Sequence, residues 1–142
     1  MIAGQAALGL SLTAVWGSGA KLSPDDRWLL YYVNNTQDST GKTQVLMRIP
    51  VGGGVAERIA DAGRAATLAC SKVKGGSCVI EERTPDQKEV VFTAVNPLSG
   101  RGREITRIAT ASLPNESLCR LDDDCYPWVL SPDGEVIAVH GY

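Results

Sequence analysis

Catalytic side chains are scarce in this sequence, and its positive and negative charges nearly balance. His140 is its only histidine, so a Ser-His-Asp or Cys-His arrangement would have to use it, and no G-x-S-x-G motif is present. The formal charge of -2 gives no broad cationic surface for nucleic acid. A phosphate-binding loop has a glycine five residues before its Gly-Lys pair. Thr36 occupies that position before Gly41-Lys42, so the motif is absent there. These features predict a non-enzymatic chain with no cofactor and no nucleic-acid partner.

Charge is also missing from the first 20 residues, since Lys21 is the first charged side chain. A secretory signal begins with a basic region, and a membrane span is more densely apolar. Residues 1–18 are therefore read as an uncharged leader or as a strand and linker from a preceding structural unit, with a targeting segment left open. No membrane insertion is expected for residues 19–142.

Turn-forming residues are frequent, with fifteen glycines and seven prolines in 142 residues. They interrupt the chain every few residues, which suits short strands and tight turns better than long helices. The sequence therefore predicts an all-β fold.

One short pattern recurs three times: a hydroxyl residue, a proline, an aspartate, then polar or glycine residues and an apolar run. The prolines are 61 and 47 residues apart. The second spacing is close to the ~40 to 50 residues of four-stranded propeller repeats, and the first would need an insertion. Proline fixes φ and aspartate bonds its own backbone, so each copy predicts a turn leading into a strand. The turn residues are Pro24, Asp25, Pro85, Asp86, Pro132 and Asp133.

The turns also predict the strands of each unit. The inner strands are expected at 20–22, 78–82 and 128–130, and the second strands at 28–33, 90–95 and 136–139. Third strands are expected at 46–49 and 105–108, and outer strands at 57–59 and 119–121. The core candidates are Trp28, Leu30, Phe92 and Ile137.

The turn is intact at Ser131-Pro132-Asp133-Gly134 and altered at Asp26 and Gln87. In this form it resembles the repeat of TolB-like β-propellers, relatives of the WD-repeat fold. The resemblance implies a partial β-propeller of two to three antiparallel four-stranded blades, open unless completed by oligomerisation or further chain. Residues 1–18 would be the uncharged leader or the end of a preceding blade. Blade 1 would span 19–62, blade 2 with a cysteine-bearing hairpin 63–122, and the first two strands of blade 3 123–142.

The stretch from Cys78 to Glu104 further resembles propeller segments of bacterial sensor proteins. This resemblance implies a non-enzymatic binding or scaffolding module for protein or peptide partners, in the sensory part of a larger bacterial protein. Self-association through open blade edges is expected as well. One alternative is an accessory propeller of a prolyl-oligopeptidase-like hydrolase, and another is a truncated reading frame with no independent role.

Four cysteines form two local pairs, Cys70 with Cys78 and Cys119 with Cys125. A hairpin centred on Lys74 would place Cys70 directly across from Cys78, so disulfides and a periplasmic or extracellular location are expected. Zinc is the competing interpretation, although neither pair has the C-x2-4-C spacing. A third interpretation is that the cysteines are reduced and buried as small apolar residues.

Candidate binding residues are Glu81, Glu82, Arg101 and Arg103. The two glutamates are adjacent on a predicted strand, so they should point to opposite faces, one of them towards a channel. The arginines form a basic cluster with Arg107, for which a solvated strand-entry loop is the plainer interpretation. The triplet Asp122 to Asp124 is read as an acidic turn, and no metal site is expected.

Overall fold

The computed structural model describes residues 20–112 and 128–139, which form antiparallel β-sheets and one short 3-10 helix, Thr110–Ser112. The first sheet contains β1 (Lys21–Leu22), β2 (Trp28–Asn34), β3 (Thr43–Pro50) and β4 (Glu57–Gly63). The second sheet contains β5 (Thr67–Cys70), β6 (Cys78–Arg83), β7 (Glu89–Asn96) and β8 (Gly100–Ala109). The third contains β9 (Trp128–Leu130) and β10 (Ile137–Val139).

Within each sheet, strands that follow one another in the chain lie side by side. Short loops can make such connections, which explains the frequency of glycine and proline. The expectation of an all-β chain with antiparallel four-stranded sheets is confirmed. The sheets in the described ranges do not close into a ring.

The strand order of the second sheet differs from the expectation. The strand at 78–82 was expected to be innermost, but β6 pairs with β5 on one side and β7 on the other. The segment 90–95, expected as a second strand, is consequently in the third strand of its sheet, and the segment 105–108, expected as a third strand, is in the fourth. The Pro85 turn thus joins the second and third strands of its sheet. The Pro24 and Pro132 turns instead join the first and second strands of the first and third sheets. The same turn chemistry closes either hairpin, so it cannot identify which strands it joins.

All three turns have the same hydrogen bonds. In the first, the Ser23 hydroxyl donates to Asp25 at 2.6 Å and accepts from the Trp28 amide at 3.0 Å, and Asp25 accepts from the Arg27 amide at 3.1 Å. The Asp26 amide donates to the Ser23 carbonyl, and the Ser23 amide to the Trp28 carbonyl. Equivalent atoms make the same five bonds in the segments 84–89 and 131–136. The sequence repeat is therefore also a structural repeat at its turns.

The fourth residue of each turn adopts the left-handed backbone conformation. Asp26 has φ of 60°, Gln87 63° and Gly134 80°. Glycine reaches this region without steric cost, aspartate tolerates it, and glutamine is the least suited. The glycine in the third copy thus fits the backbone best.

Two apolar layers separate the sheets. The first layer packs the first sheet on the second through Leu30, Leu46, Leu68, Ile80 and their neighbours. The second layer packs Val79, Val90 and Phe92 of the second sheet against Trp128 of the third. Strands β6 and β7 of the second sheet therefore bury apolar side chains on both faces, whereas β8 is mostly exposed. Leu30 and Phe92 are core residues as expected, while Trp28 and Ile137 are partly buried against the layers.

Within the described residues, no helix has the length and apolar character needed to cross a membrane.

Candidate functional site

Glu81 and Glu82 lie on opposite faces of β6, as expected from the alternation of side chains along a strand. Glu82 faces the first sheet, where its carboxylate accepts from the Gly63 amide at 3.0 Å. Glu81 faces the third sheet beside Thr67, its cross-strand partner in β5. Each carboxylate thus belongs to a different inter-sheet contact.

Thr67 connects all three sheets, and we call its surroundings the Thr67 junction, consisting of Tyr32, Thr67, Glu81 and Trp128. The Thr67 hydroxyl donates to Glu81 at 2.7 Å and accepts from the Trp128 indole nitrogen at 3.1 Å. The Thr67 carbonyl accepts from the Tyr32 hydroxyl at 3.3 Å. One residue at the start of β5 therefore hydrogen-bonds to the first and third sheets.

Glu81 is the acidic group of the junction and is only 8% exposed. Burial raises its pKa above the usual 4.5, since removal from water disfavours the charged carboxylate. The hydrogen bond from Thr67 and the nearby Arg83 oppose that rise, while Glu82 adds to it. Glu81 is thus a buried acid whose protonation is coupled to the packing of two sheets.

Trp128 supplies the apolar part of the junction. Its ring meets Phe92 edge to face, with the ring centres 5.1 Å apart and an interplanar angle of 77°. Edge-to-face aromatic pairs contribute about 0.5–1.5 kcal/mol beyond the burial of their area. Trp128 therefore anchors the third sheet through both its ring and its N–H group.

Glu82 and Arg101 form a polar contact between the first two sheets. The Arg101 guanidinium pairs with the Glu82 carboxylate at 2.7 Å and donates to the Asp61 carbonyl at 2.7 Å. Gly100 sits close to the Ile59 carbonyl, where a Cβ atom would come within 2.5 Å of the oxygen. The absence of a side chain at Gly100 allows β8 to approach β4.

Arg48 makes a further contact between these sheets. Its guanidinium lies 4.6 Å from the centre of the Trp28 ring and donates to the Pro97 carbonyl in the loop between β7 and β8. It also pairs with Glu57 at 2.9 Å. These contacts bring the loop after β3 to the same end of the molecule as the loop between β7 and β8.

Cys70 and Cys78 form a disulfide directly across the β5–β6 pair, as the hairpin geometry predicted. The loop that it closes also contacts the third sheet. The Ser71 hydroxyl and the Lys72 amide both donate to the Pro132 carbonyl, at 2.8 and 2.7 Å. The disulfide therefore braces the hairpin that holds the third turn.

The four candidate binding residues have different surroundings. Glu81, Glu82 and Arg101 have partners in the contacts between sheets, whereas Arg103 is exposed and makes no ion pair among the described residues. Arg107 pairs with Glu104 and Glu89 along the sheet surface. The role of the four candidate residues in partner binding stays a prediction.

Several candidates lie outside the described residues, namely Cys119, Cys125, the acidic triplet 122–124 and His140. Over 20–112 and 128–139, no three His, Cys, Asp or Glu residues are placed to hold a metal ion.

Thr67 and Ser71 were not identified from the sequence. Each is a small hydroxyl residue in a segment without a recognisable motif, and its importance depends on partners distant in the chain. Trp128 was expected only as part of an inner strand. A tryptophan at the start of a short strand was the available signal, because buried indole N–H groups usually have a partner.

No protein-family model, curated protein or solved structure matches this chain.

Proposed function

We propose that this chain belongs to a TolB-like β-propeller and acts as a non-enzymatic binding or scaffolding module for a protein or peptide partner. It would serve in the sensory part of a larger bacterial protein. The observation that carries the proposal is the turn repeated with the same five hydrogen bonds in each of three consecutive sheets. Propellers are built by repeating one such sheet around an axis.

The order of contacts between the sheets supports a radial arrangement. β1 contacts β5 and β5 contacts β9, so the first strands of the three sheets are neighbours. β4 contacts β8, so the fourth strands of the first two sheets also meet. This pattern is expected when successive blades lie around a common axis.

In the first and third copies of the repeat, equivalent positions face the same side of the stack. Phe92 of the second copy faces the third sheet instead, because its turn joins the second and third strands of its sheet. Ile137 and Val139 pack towards the preceding sheet, in the second apolar layer. Leu29 and Tyr31 occupy the same positions relative to their turn and lie together on the face of the first sheet that points away from the second. The first and third sheets therefore present these equivalent strand positions on the same side of the stack.

We place the protein in the periplasm or outside the cell. A cross-strand disulfide favours an oxidising compartment, because cytosolic thiols are normally kept reduced. The proposal includes self-association through open blade edges, since the described sheets leave their ring unclosed.

The binding function is tested by selecting peptides from a random displayed library on the purified, oxidised chain. We expect enriched peptides that share a motif and bind without being cleaved. Binding should fall at least tenfold with Arg103→Ala and stay unchanged with Lys42→Ala, a control on an exposed loop. Cleavage of bound peptide, or failure to enrich any shared motif, would contradict the proposal.

The genomic neighbourhood separates the proposal from the hydrolase alternative. A winged-helix or kinase segment with a membrane span, encoded in the same reading frame, is expected. An α/β-hydrolase segment there would instead make this chain an accessory propeller of a peptidase.

A further inference from the structure

Exposed apolar side chains are concentrated at one end of the sheet stack. In antiparallel sheets, successive loops alternate between the two ends. The bonds from Arg48 to Pro97 and from Lys72 to Pro132 then place five loops at the same end, which we call the apolar end. These loops span 23–27, 51–56, 71–77, 97–99 and 131–136.

Seven large hydrophobic side chains are exposed in the described residues, and six of them lie in these loops or next to them. Val55 is the most open, at 81% exposure. The six residues are Leu22, Val51, Val55, Val73, Leu98 and Val136. The loops of the opposite end, 35–42, 64–66 and 84–88, contain none of the seven.

Such clustering on one end is unlike the single, scattered apolar residues of an ordinary surface. The same end carries an ordered pattern of charge. The turn of the first sheet is acidic at Asp25 and Asp26, with Arg27 beside them, and the turn of the third sheet is acidic at Asp133 and Glu135. Between them the loop of the second sheet is basic at Lys72 and Lys74, which flank the exposed Val73.

This order of charges is self-complementary. A second copy turned by a two-fold rotation can set its basic loop against an acidic turn of the first copy and receive the reciprocal contact. Lys72 and Lys74 form no ion pair with the rest of the described chain, so their charge is available. The apolar tips around them supply the surface that such a contact would bury.

We infer that the apolar end is a dimerisation surface whose occupant is a second copy of this chain, docked end to end. The contact differs from association through open blade edges, because it uses the loops of the stack rather than its terminal sheets. It does not depend on the proposed binding function. Its charge pairs predict association that weakens as ionic strength rises.

The test is sedimentation of variants with altered surface charge, alone and mixed. K72E/K74E and D26N/E135K should each self-associate at least tenfold more weakly than the natural chain, while their equimolar mixture should recover the association. Asparagine suits position 26 because it tolerates the left-handed backbone. The matched control, K42E/K88E, reverses two exposed lysines at the opposite end and should associate as the natural chain does.

A second variant tests the apolar contribution. Val55→Ser, Val73→Ser and Leu98→Ser together should also weaken association at least tenfold, and unchanged circular dichroism would show that the fold is retained. Val129→Ser, on the exposed face of the third sheet, should have no effect.

Three outcomes overturn the inference. One is a natural chain that stays monomeric at all concentrations. Another is loss of association with Val129→Ser but not with the variants of the apolar end, which would place the contact on the terminal sheet. The third is binding of the apolar end to anionic phosphatidylglycerol vesicles without dimerisation, which would make it a membrane-contacting surface.

Discussion

Glu81 and Glu82 are adjacent in β6, yet their carboxylates stabilise different contacts between sheets. Glu82 accepts from Gly63 and pairs with Arg101 on the side of the first sheet. Glu81 accepts from Thr67 on the side of the third sheet. Two neighbouring acids thus make polar contacts on the two faces of the central sheet, and each can be perturbed separately.

Replacing Glu81 should change how stability depends on pH. Because burial raises its pKa in the folded protein above 4.5, the folded state disfavours the carboxylate. The stability that Glu81 contributes is therefore full below that value and is lost as pH rises through the raised pKa. Glu81→Gln cannot ionise at this position, so its unfolding free energy should improve relative to the natural chain as pH rises above 4.5.

This comparison isolates Glu81 from the turn aspartates. The pKa values of Asp25, Asp86 and Asp133 are lowered, chiefly by hydrogen bonds from the neighbouring hydroxyl groups. The stability that these carboxylates contribute to the protein is therefore lost as pH falls. They are the same in both proteins and cancel in the difference. Urea unfolding across the pH range measures it, and a difference that is flat with pH would contradict the role given to Glu81.

Removing the Thr67 hydroxyl should loosen the junction. Thr67→Val keeps the shape but leaves the Trp128 N–H and the Glu81 carboxylate without this partner, which should cost about 1–3 kcal/mol of unfolding free energy. Thr67→Ser keeps the hydroxyl and is the matched control. Equal losses for the two variants in urea unfolding would mean that the hydroxyl does not link the sheets.

The three turns were the part of the fold that sequence could predict best. A hydroxyl, a proline and an aspartate specify their hydrogen bonds locally, and Asp25, Asp86 and Asp133 all form them. The Cys70–Cys78 pairing was predictable for the same reason, because one hairpin determines it.

The position of β5 and the Thr67 junction could not be predicted in this way. β5 has only four residues, too few to show a clear alternation of apolar and polar side chains. The role of Thr67 depends on Trp128, which is 61 residues away in the chain. Local patterns therefore identified the hairpins, while contacts distant in sequence determined how the sheets join.

The left-handed residue of each turn offers a way to stabilise the protein. Gln87→Gly should stabilise it by about 0.5–1 kcal/mol, because glycine relieves the strain of positive φ at some entropic cost. Lys88→Gly, next to it, has no such strain to relieve and should destabilise. Thermal unfolding of both variants measures the contrast, and a loss of stability with Gln87→Gly would contradict the assignment of strain.

Gly100 should be intolerant of any side chain. Alanine there would place Cβ 2.5 Å from the Ile59 carbonyl at a φ of 89°, so Gly100→Ala should cost more than about 2 kcal/mol. Gly52→Ala is the control, since a Cβ atom at Gly52 meets nothing within 4 Å. Similar denaturant midpoints for the two variants would show that β4 and β8 do not approach as described.

The three sheets stack with the second between the first and third. The direct test is a nuclear Overhauser spectrum of the oxidised protein, labelled at methyl and aromatic groups. We expect cross-peaks between Leu30 and Ile80 and between Phe92 and Trp128, with none between Leu30 and Trp128. Strong cross-peaks between Leu30 and Trp128, with the Phe92 contact absent, would contradict the stacked arrangement.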